Sequence, residues 1–196
     1  MSANPAFLFD RQTHVYSLAD KILPSVTEIL RGSGIVDDRW FTSAGAWRGS
    51  AVHAACWYDD QNDLDESNLD QALIGYIEAY RKFRTETSFE PTDIETPVYN
   101  DLLGYAGTPD RVGKLNQKRL CLLDIKSGAS SKVTRYQTVA YVGCLASPRK
   151  YVRMELRLQP NGKYFLQVYE PKDYDADYRK WQSIVDVFHI RRELGI

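Results

Sequence analysis

Leu120-Cys121-Leu122-Leu123-Asp124-Ile125-Lys126 reads as a strongly apolar strand that ends in two charges. Side chains alternate between the faces of a strand, so Asp124 and Lys126 point one way and Ile125 points into the opposite layer. Charges at the end of a buried strand are costly unless they are paired. Two readings follow. Either the strand emerges into solvent at Asp124, with Ser127-Gly128 as its turn, or the acid and the amine belong to a site.

Working upstream, Leu115-Asn116-Gln117-Lys118 is a polar turn, and Asp110-Arg111-Val112 is the strand that enters it. A hairpin through that turn fits. Val98-Tyr99 and Gly104-Tyr105-Ala106-Gly107 also look extended. Gly107-Thr108-Pro109-Asp110 is placed on the first arm of the hairpin, fourteen positions before Asp124. Pairing would bring the two carboxylates together at one edge of a sheet. Carboxylates that close repel, and a bound hard cation relieves the repulsion. Magnesium takes a few carboxylate oxygens together with water and substrate phosphate. Glu95, upstream of the hairpin, is a candidate third oxygen ligand, or an exposed loop acid between Pro91 and Pro97, two prolines that interrupt the chain before the pattern changes to strands.

Helices are expected on either side of these strands. Pro24-Ser25-Val26-Thr27-Glu28 has the form of a capping box, and Gly32-Ser33-Gly34 ends the helix it starts. A second helix is expected over about 43–58, with Gly45, Gly49 and His53 on one face at four-residue spacing. A third, over about 69–84, carries Leu69, Leu73, Tyr76, Ile77, Tyr80 and Phe83 at helical period. His14–Ser17 and Lys21–Leu23 are short extended pieces. Beyond the hairpin, a helix is expected over about 132–145. Strands near Tyr151–Leu158 and Tyr164–Tyr169 are joined by Gln159-Pro160-Asn161-Gly162, where Asn-Gly signals a second hairpin. A terminal helix over about 174–192 has Tyr174, Tyr178, Trp181, Ile184, Val185 and Phe188 on one stripe. The expected class is α/β, a central mixed sheet flanked by helices. The chain reads as one domain over 1–196, with a helical elaboration at about 25–90, a core at about 91–170 and the terminal helix after it.

Composition sets the frame. The 196 residues are 43% hydrophobic and 26% charged, enough apolar material for a real core. No stretch approaches the roughly eighteen apolar residues of a membrane span. Met1-Ser2-Ala3-Asn4-Pro5 has neither the basic start nor the apolar run of a signal peptide, so a cytoplasmic protein is expected. Cys56, Cys121 and Cys144 form no CxxC pair and suggest neither zinc nor a disulfide framework. The formal net charge is −1, but its distribution is uneven. Arg111, Lys114, Lys118, Arg119, Lys126, Lys132 and Arg135 crowd one stretch, and Asp59, Asp60, Asp63, Asp65, Glu66 and Asp70 another. Such a split either makes a basic working face and an acidic distal one, or simply solvates the surface.

Gly107-Thr108-Pro109-Asp110, then Leu123-Asp124-Ile125-Lys126, then Gln137-Thr138-Val139-Ala140-Tyr141 resembles the ordered motifs of the PD-(D/E)XK nucleases, in particular their RecB-like, phage-type exonuclease branch. Gly49-Ser50-Ala51-Val52-His53 looks like that branch's upstream helical histidine, and Glu95 is similar to its glutamate. The likeness spans His53 to Tyr141, and no single motif within it is specific. It implies that Asp110, Asp124 and the Ile125 carbonyl hold Mg2+ or Mn2+, with His53 and Glu95 as further ligands. It implies that Lys126 orients or deprotonates the attacking water, and that Gln137 and Tyr141, one helical turn apart, contact substrate or brace the lysine. His53 could instead be a core histidine, Gln137 a surface residue and Tyr141 a core aromatic. Lys114, Lys118, Lys132 and Arg135 are candidates for backbone phosphates.

The resemblance implies a metal-dependent deoxyribonuclease of low sequence specificity, exonuclease rather than endonuclease, in recombination, repair or processing of DNA in a bacterial cell or phage-infected host. The four cysteines that hold an iron–sulfur cluster in some relatives are missing, so no cluster is expected. The alternatives are a structure-specific endonuclease, or a catalytically inactive nucleic-acid-binding or scaffolding protein of the same fold. A recombinase or single-strand-binding partner, single- or double-stranded DNA as substrate, and the oligomeric state all stay open at this point.

Overall fold

The apolar run sits at the centre of the sheet. A computed structural model describes residues 6–36, 42–129 and 131–196; Met1 to Pro5 lie outside it. Arg119–Lys126 (β8) is the middle strand of five. On one side it pairs antiparallel with Arg111–Leu115 (β7), which pairs with Phe89–Ile94 (β4). On the other it runs parallel to Val152–Leu158 (β9), which turns back into Tyr164–Tyr169 (β10). The architecture is α/β, a central mixed sheet with helices on both faces.

β8 is apolar at consecutive positions because both of its faces are covered. Leu122 packs with Val112, Val26, Ile29, Val139, Trp181 and Ile184, which come from Val26–Gly32 (α1), Thr134–Val142 (α4) and Tyr174–Leu194 (α5) as well as β7. Cys121, Leu123 and Ile125 pack the other way, against Ser43–Asp60 (α2) and Gln71–Thr87 (α3) through Val52, Tyr76, Tyr80 and Phe83. Burying each such side chain contributes about 1.5–3 kcal/mol. The connection from β8 to β9 runs through α4, the crossover that parallel neighbours require.

Local chemistry explains most boundaries. Ser25 caps α1, its Oγ accepting from the Glu28 amide while the Glu28 carboxylate accepts from the Ser25 amide at 2.7 Å. Asp70 caps α3, and Ser88 ends it in the left-handed region. The β9–β10 hairpin closes at Asn161-Gly162, with Gly162 at φ 75°.

Three expectations are corrected. Pro91 does not stop a strand: it lies in β4, at the sheet edge, beside a register shift between Pro91 and Asp93, where a missing N–H costs the ladder nothing. Gly107 and Asp110 are not on one arm of a hairpin. Tyr105–Gly107 (β6) pairs instead with Val98–Asn100 (β5) in a separate ribbon, and Asp110 lies in the connection just before β7. Pro109, with no N–H to give, breaks the ladder between them. Finally, an N-terminal meander has an unexpected first strand, Phe7–Asp10 (β1), ahead of Val15–Leu18 (β2) and Lys21–Leu23 (β3). Its Tyr16 hydroxyl meets the Thr108 hydroxyl at 2.8 Å, bracing the segment that leads to Asp110.

The acidic stretch is not a solvated face throughout. Asp59 is buried against Arg81 and Arg84, Asp60 is buried against Arg111 and Arg84, and Asp65 and Asp70 cap helical turns.

Candidate active site

The carboxyl end of β8 carries Asp124 and Lys126 on the face toward α4. Lys126 Nζ lies 2.7 Å from Asp124 Oδ2. Asp124 is 2% exposed. Its burial pushes the carboxyl up to about 6; Lys126 opposes that, Asp110 adds to it and His53 opposes it. Desolvation alone would lower the Lys126 pKa, but the Asp124, Asp110 and Glu155 carboxylates outweigh it and leave it raised. Among the described residues, Oδ2 of Asp124 has no aligned hydrogen bond despite its burial, so the Lys126 contact is one of charge.

Asp110 reaches the same place from the β6–β7 connection. Its Oδ2 accepts from the Ile125 amide at 2.6 Å. α2 brings in His53, whose Nε2 lies 3.0 Å from the Ile125 carbonyl and whose Nδ1 lies 3.4 Å from Asp110 Oδ1. A carbonyl only accepts, so the proton is on Nε2. In the neutral ring Nδ1 is then an acceptor facing a carboxylate, a pairing that calls for a proton or a metal cation between the two. Metal-binding histidines commonly donate their other N–H to a backbone carbonyl in this way.

On α4, Gln137 Oε1 accepts from Lys126 Nζ at 3.4 Å, and Gln137 Nε2 donates to the Tyr141 hydroxyl at 3.2 Å. Tyr141 is both a core aromatic and the end of this chain, because its ring packs on Gly107: a Cβ there would stand 2.5 Å from Tyr141 Cε1. Glu95 is held beside the site by its backbone, its amide donating to the Asp110 carbonyl at 3.1 Å. Its carboxylate faces Arg111, 3.8 Å from a guanidinium nitrogen.

Among the described residues, no three His, Cys, Asp or Glu side chains stand close enough together to enclose a metal ion. The donor set nevertheless suits a hard divalent cation: the Asp110 and Asp124 carboxylates, the second lone pair of the Ile125 carbonyl, and His53 Nδ1. Asp124 Oδ2, buried and without an aligned donor among the described residues, is the observation in its favour.

The four candidate phosphate ligands separate. Lys132 is exposed, two residues ahead of α4 and its Gln137. Lys114 lies on β7 opposite Leu120, and Lys118 follows in the turn, both at the end of the hairpin away from Asp110. At about 3.3 Å per residue, Lys114 is roughly 10 Å beyond Arg111. Arg135 is drawn into the structure: its Nε donates to the buried Asp177 at 2.6 Å, and its guanidinium lies over Tyr169.

Sequence reasoning missed Glu155 and Arg157 on β9. Register places Glu155 beside Asp124 and Arg157 beside Lys126. Their signal was present: in Val152-Arg153-Met154-Glu155-Leu156-Arg157-Leu158, charges alternate with apolar residues on a strand whose apolar face is buried. Arg48 was also missed. Its guanidinium stands near Gly128, two residues after Lys126, and its Nε is buried with no hydrogen-bond partner among the described residues.

Fold and site together define an α/β protein whose central mixed sheet presents acids, a lysine and a histidine at the carboxyl end of its middle strand. Its similarities to known proteins are distant. It is similar to the alkaline exonuclease LHK-Exo of Laribacter hongkongensis, at 17% identity over 84% of this chain and 87% of that one, with a TM-score of 0.34. A second structure, of LHK-Exo in complex with dAMP, matches at 13% identity over 88% of this chain and 93% of that one, with a TM-score of 0.40. No family model matches the sequence, and no curated protein matches it. Among the described residues, no helix is long and apolar enough to cross a membrane.

Proposed function

We propose that the protein is a Mg2+- or Mn2+-dependent nuclease of the PD-(D/E)XK kind that hydrolyses DNA phosphodiester bonds. The observation that carries this reading is the joining of Asp110, Ile125 and His53 by direct contacts beside the Asp124–Lys126 pair. These are the residues of the ordered motifs, and they come from three separate elements.

Asp110, Asp124, the Ile125 carbonyl and His53 would hold the cation, with Glu95 as an outer acid. A bound divalent ion supplies Lewis acidity toward a phosphate oxygen and makes water more acidic. The chain's own residues do the rest. Asp110 is fixed by the Ile125 amide, so its other oxygen stays directed at the site. Lys126, 2.7 Å from Asp124, would hold the attacking water and offset charge on the phosphate. Gln137 accepts from the lysine and, through Tyr141, ties its position to α4. Lys132, at the site end of α4, would hold backbone phosphate. Exonuclease rather than endonuclease action, and a place in recombination or repair, come from the motif resemblance.

End-labelled single- and double-stranded DNA, incubated with and without Mg2+ or Mn2+, tests the proposal. Cleavage is expected only with the metal and is lost in Asp124→Asn. Cleavage that survives chelation or this substitution would overturn the mechanism. Release of mononucleotides from one labelled end marks an exonuclease, and internal fragments mark an endonuclease.

A further inference from the structure

Beyond the metal-binding residues, the sheet carries a row of three paired residues. Lys126 on β8 pairs with Arg157 on β9, and Arg157 pairs with Phe165 on β10. Paired residues project from one face, and the Arg157 guanidinium indeed lies over the Phe165 ring, 5.2 Å from its centroid. With strands about 4.8 Å apart, the Phe165 backbone is roughly 10 Å from that of Lys126.

Phe165 is 54% exposed. On the same strand Tyr164, Leu166 and Val168 pack into the core below, so β10 is already anchored without this ring. Two register steps along, Tyr169 lies under Arg153 and Arg135, and both of these are tied to Asp177 of α5. That end of the face is closed. The Phe165 end, which is the Lys126 end, reaches solvent, with the Lys126 and Arg157 side chains 29% and 27% exposed beside the ring.

We infer that Phe165 and Arg157 form a platform that holds one unpaired nucleotide of the substrate, next to the phosphate at Lys126. The inference rests on the nuclease reading and names the part of the substrate that this side of the site takes. An aromatic face beside cations is the usual means of holding a single strand, with the base on the ring and the phosphate on the guanidinium. Arg157 suits the second role: its Nε faces Glu155 Oε1 at 3.4 Å, which orients a side chain that is 27% exposed. The separation between Lys126 and Phe165 is one that an extended strand bridges with a nucleotide or two. A base stacked inside a duplex has no free face for the ring, so the platform favours frayed or single-stranded ends over intact duplex.

Binding of a fluorescein-labelled single-stranded oligonucleotide, followed by anisotropy in chelator so that nothing is cut, tests this. Phe165→Ala is expected to weaken binding about 5- to 150-fold, the range for one stacked base. Phe165→Trp restores it, Arg157→Gln weakens it, and binding of a blunt duplex changes far less. A series of oligonucleotides, each lacking one base, should show one position whose loss weakens wild-type binding and adds nothing to Phe165→Ala. Thermal melting checks that the variants are folded; Phe165 is exposed and its removal opens no core. The inference is overturned if folded Phe165→Ala binds the single strand as wild type does, if no missing base is sensed, or if the wild type does not bind the strand at all. Failure of the nuclease reading looks different: strand binding intact in chelator, with no cleavage when metal is added.

Discussion

Arg111 and Asp60 form an ion pair closed to solvent on both sides, with Nε 2.6 Å from Oδ2 and neither side chain exposed. The same guanidinium donates to the Asp110 carbonyl at 2.6 Å. Asp60 lies on α2 two turns after His53, and Arg111 directly follows Asp110. The pair therefore fixes the helix that carries the histidine against the strand that follows the aspartate. Burial raises the Asp60 pKa and Arg111 works against it, with Tyr80 and Arg84 as further partners.

Arg111→Met would leave Asp60 as a buried charge without its main partner, and breaking such a pair costs about 3–5 kcal/mol. The loss should appear as a lower urea midpoint with an unchanged slope. Asp60→Leu combined with Arg111→Met should recover part of it, because a matched apolar pair strands no charge. A double variant as unstable as the sum of the two single ones would show that the pair has no coupling.

Lys126→Met should lower the rate of DNA cleavage by about 10²- to 10⁴-fold, the range for losing a positioned proton-transfer group. Single-turnover kinetics with saturating enzyme would read this apart from binding. Gln137→Ala should cause a smaller loss in the same step, since it removes the 3.4 Å contact that holds the lysine toward α4 but leaves the amine itself in place. Equal rates in wild type and Lys126→Met would remove the lysine from the chemistry.

The central strand, the capping box at Ser25 and the hairpin at Asn161-Gly162 were legible because each is a local pattern with one physical solution. The Asp124–Lys126 pair was legible for the same reason. What was not legible depends on distant partners. Pro91 read as a break because nothing nearby says that its strand lies at an edge. Arg135 read as free because its partner, Asp177, is 42 residues away. Lys114 and Lys118 shared the basic stretch with the site yet stand at the far end of the hairpin, since charge counting ignores direction along a strand. Glu155 and Arg157 could be linked to Asp124 and Lys126 only once the β8–β9 register was known.

Gly107→Ala is a test of the first motif. Its Cβ would stand 2.5 Å from Tyr141 Cε1 and 3.2 Å from Val26 Cγ2, so the ring must move. Overpacking of this kind costs about 1–3 kcal/mol. Because Tyr141 continues through Gln137 to Lys126, cleavage should fall along with stability. Tyr141→Leu in the same chain should return stability by vacating the space, but not the cleavage rate, since the hydroxyl that holds Gln137 is gone.

Metal binding should be visible without any nucleic acid. A ligand that binds only the folded chain stabilises it by about 2.7 kcal/mol at a hundred times its Kd. For a chain of this length, each kcal/mol moves Tm by about 2–4 °C, so saturating Mn2+ should raise Tm by roughly 5–10 °C. Asp110→Asn and Asp124→Asn should each abolish the shift, because both remove anionic oxygen from the donor set. His53→Ala should reduce it and also free the Ile125 carbonyl, which the ring now engages at 3.0 Å. Glu95 is the informative case. Its carboxylate faces Arg111 at 3.8 Å, so Glu95→Gln should keep most of the shift. Loss of the shift in Glu95→Gln would mean that the carboxylate leaves Arg111 to reach the ion, whereas a full shift in Asp124→Asn would place the cation somewhere other than the end of β8.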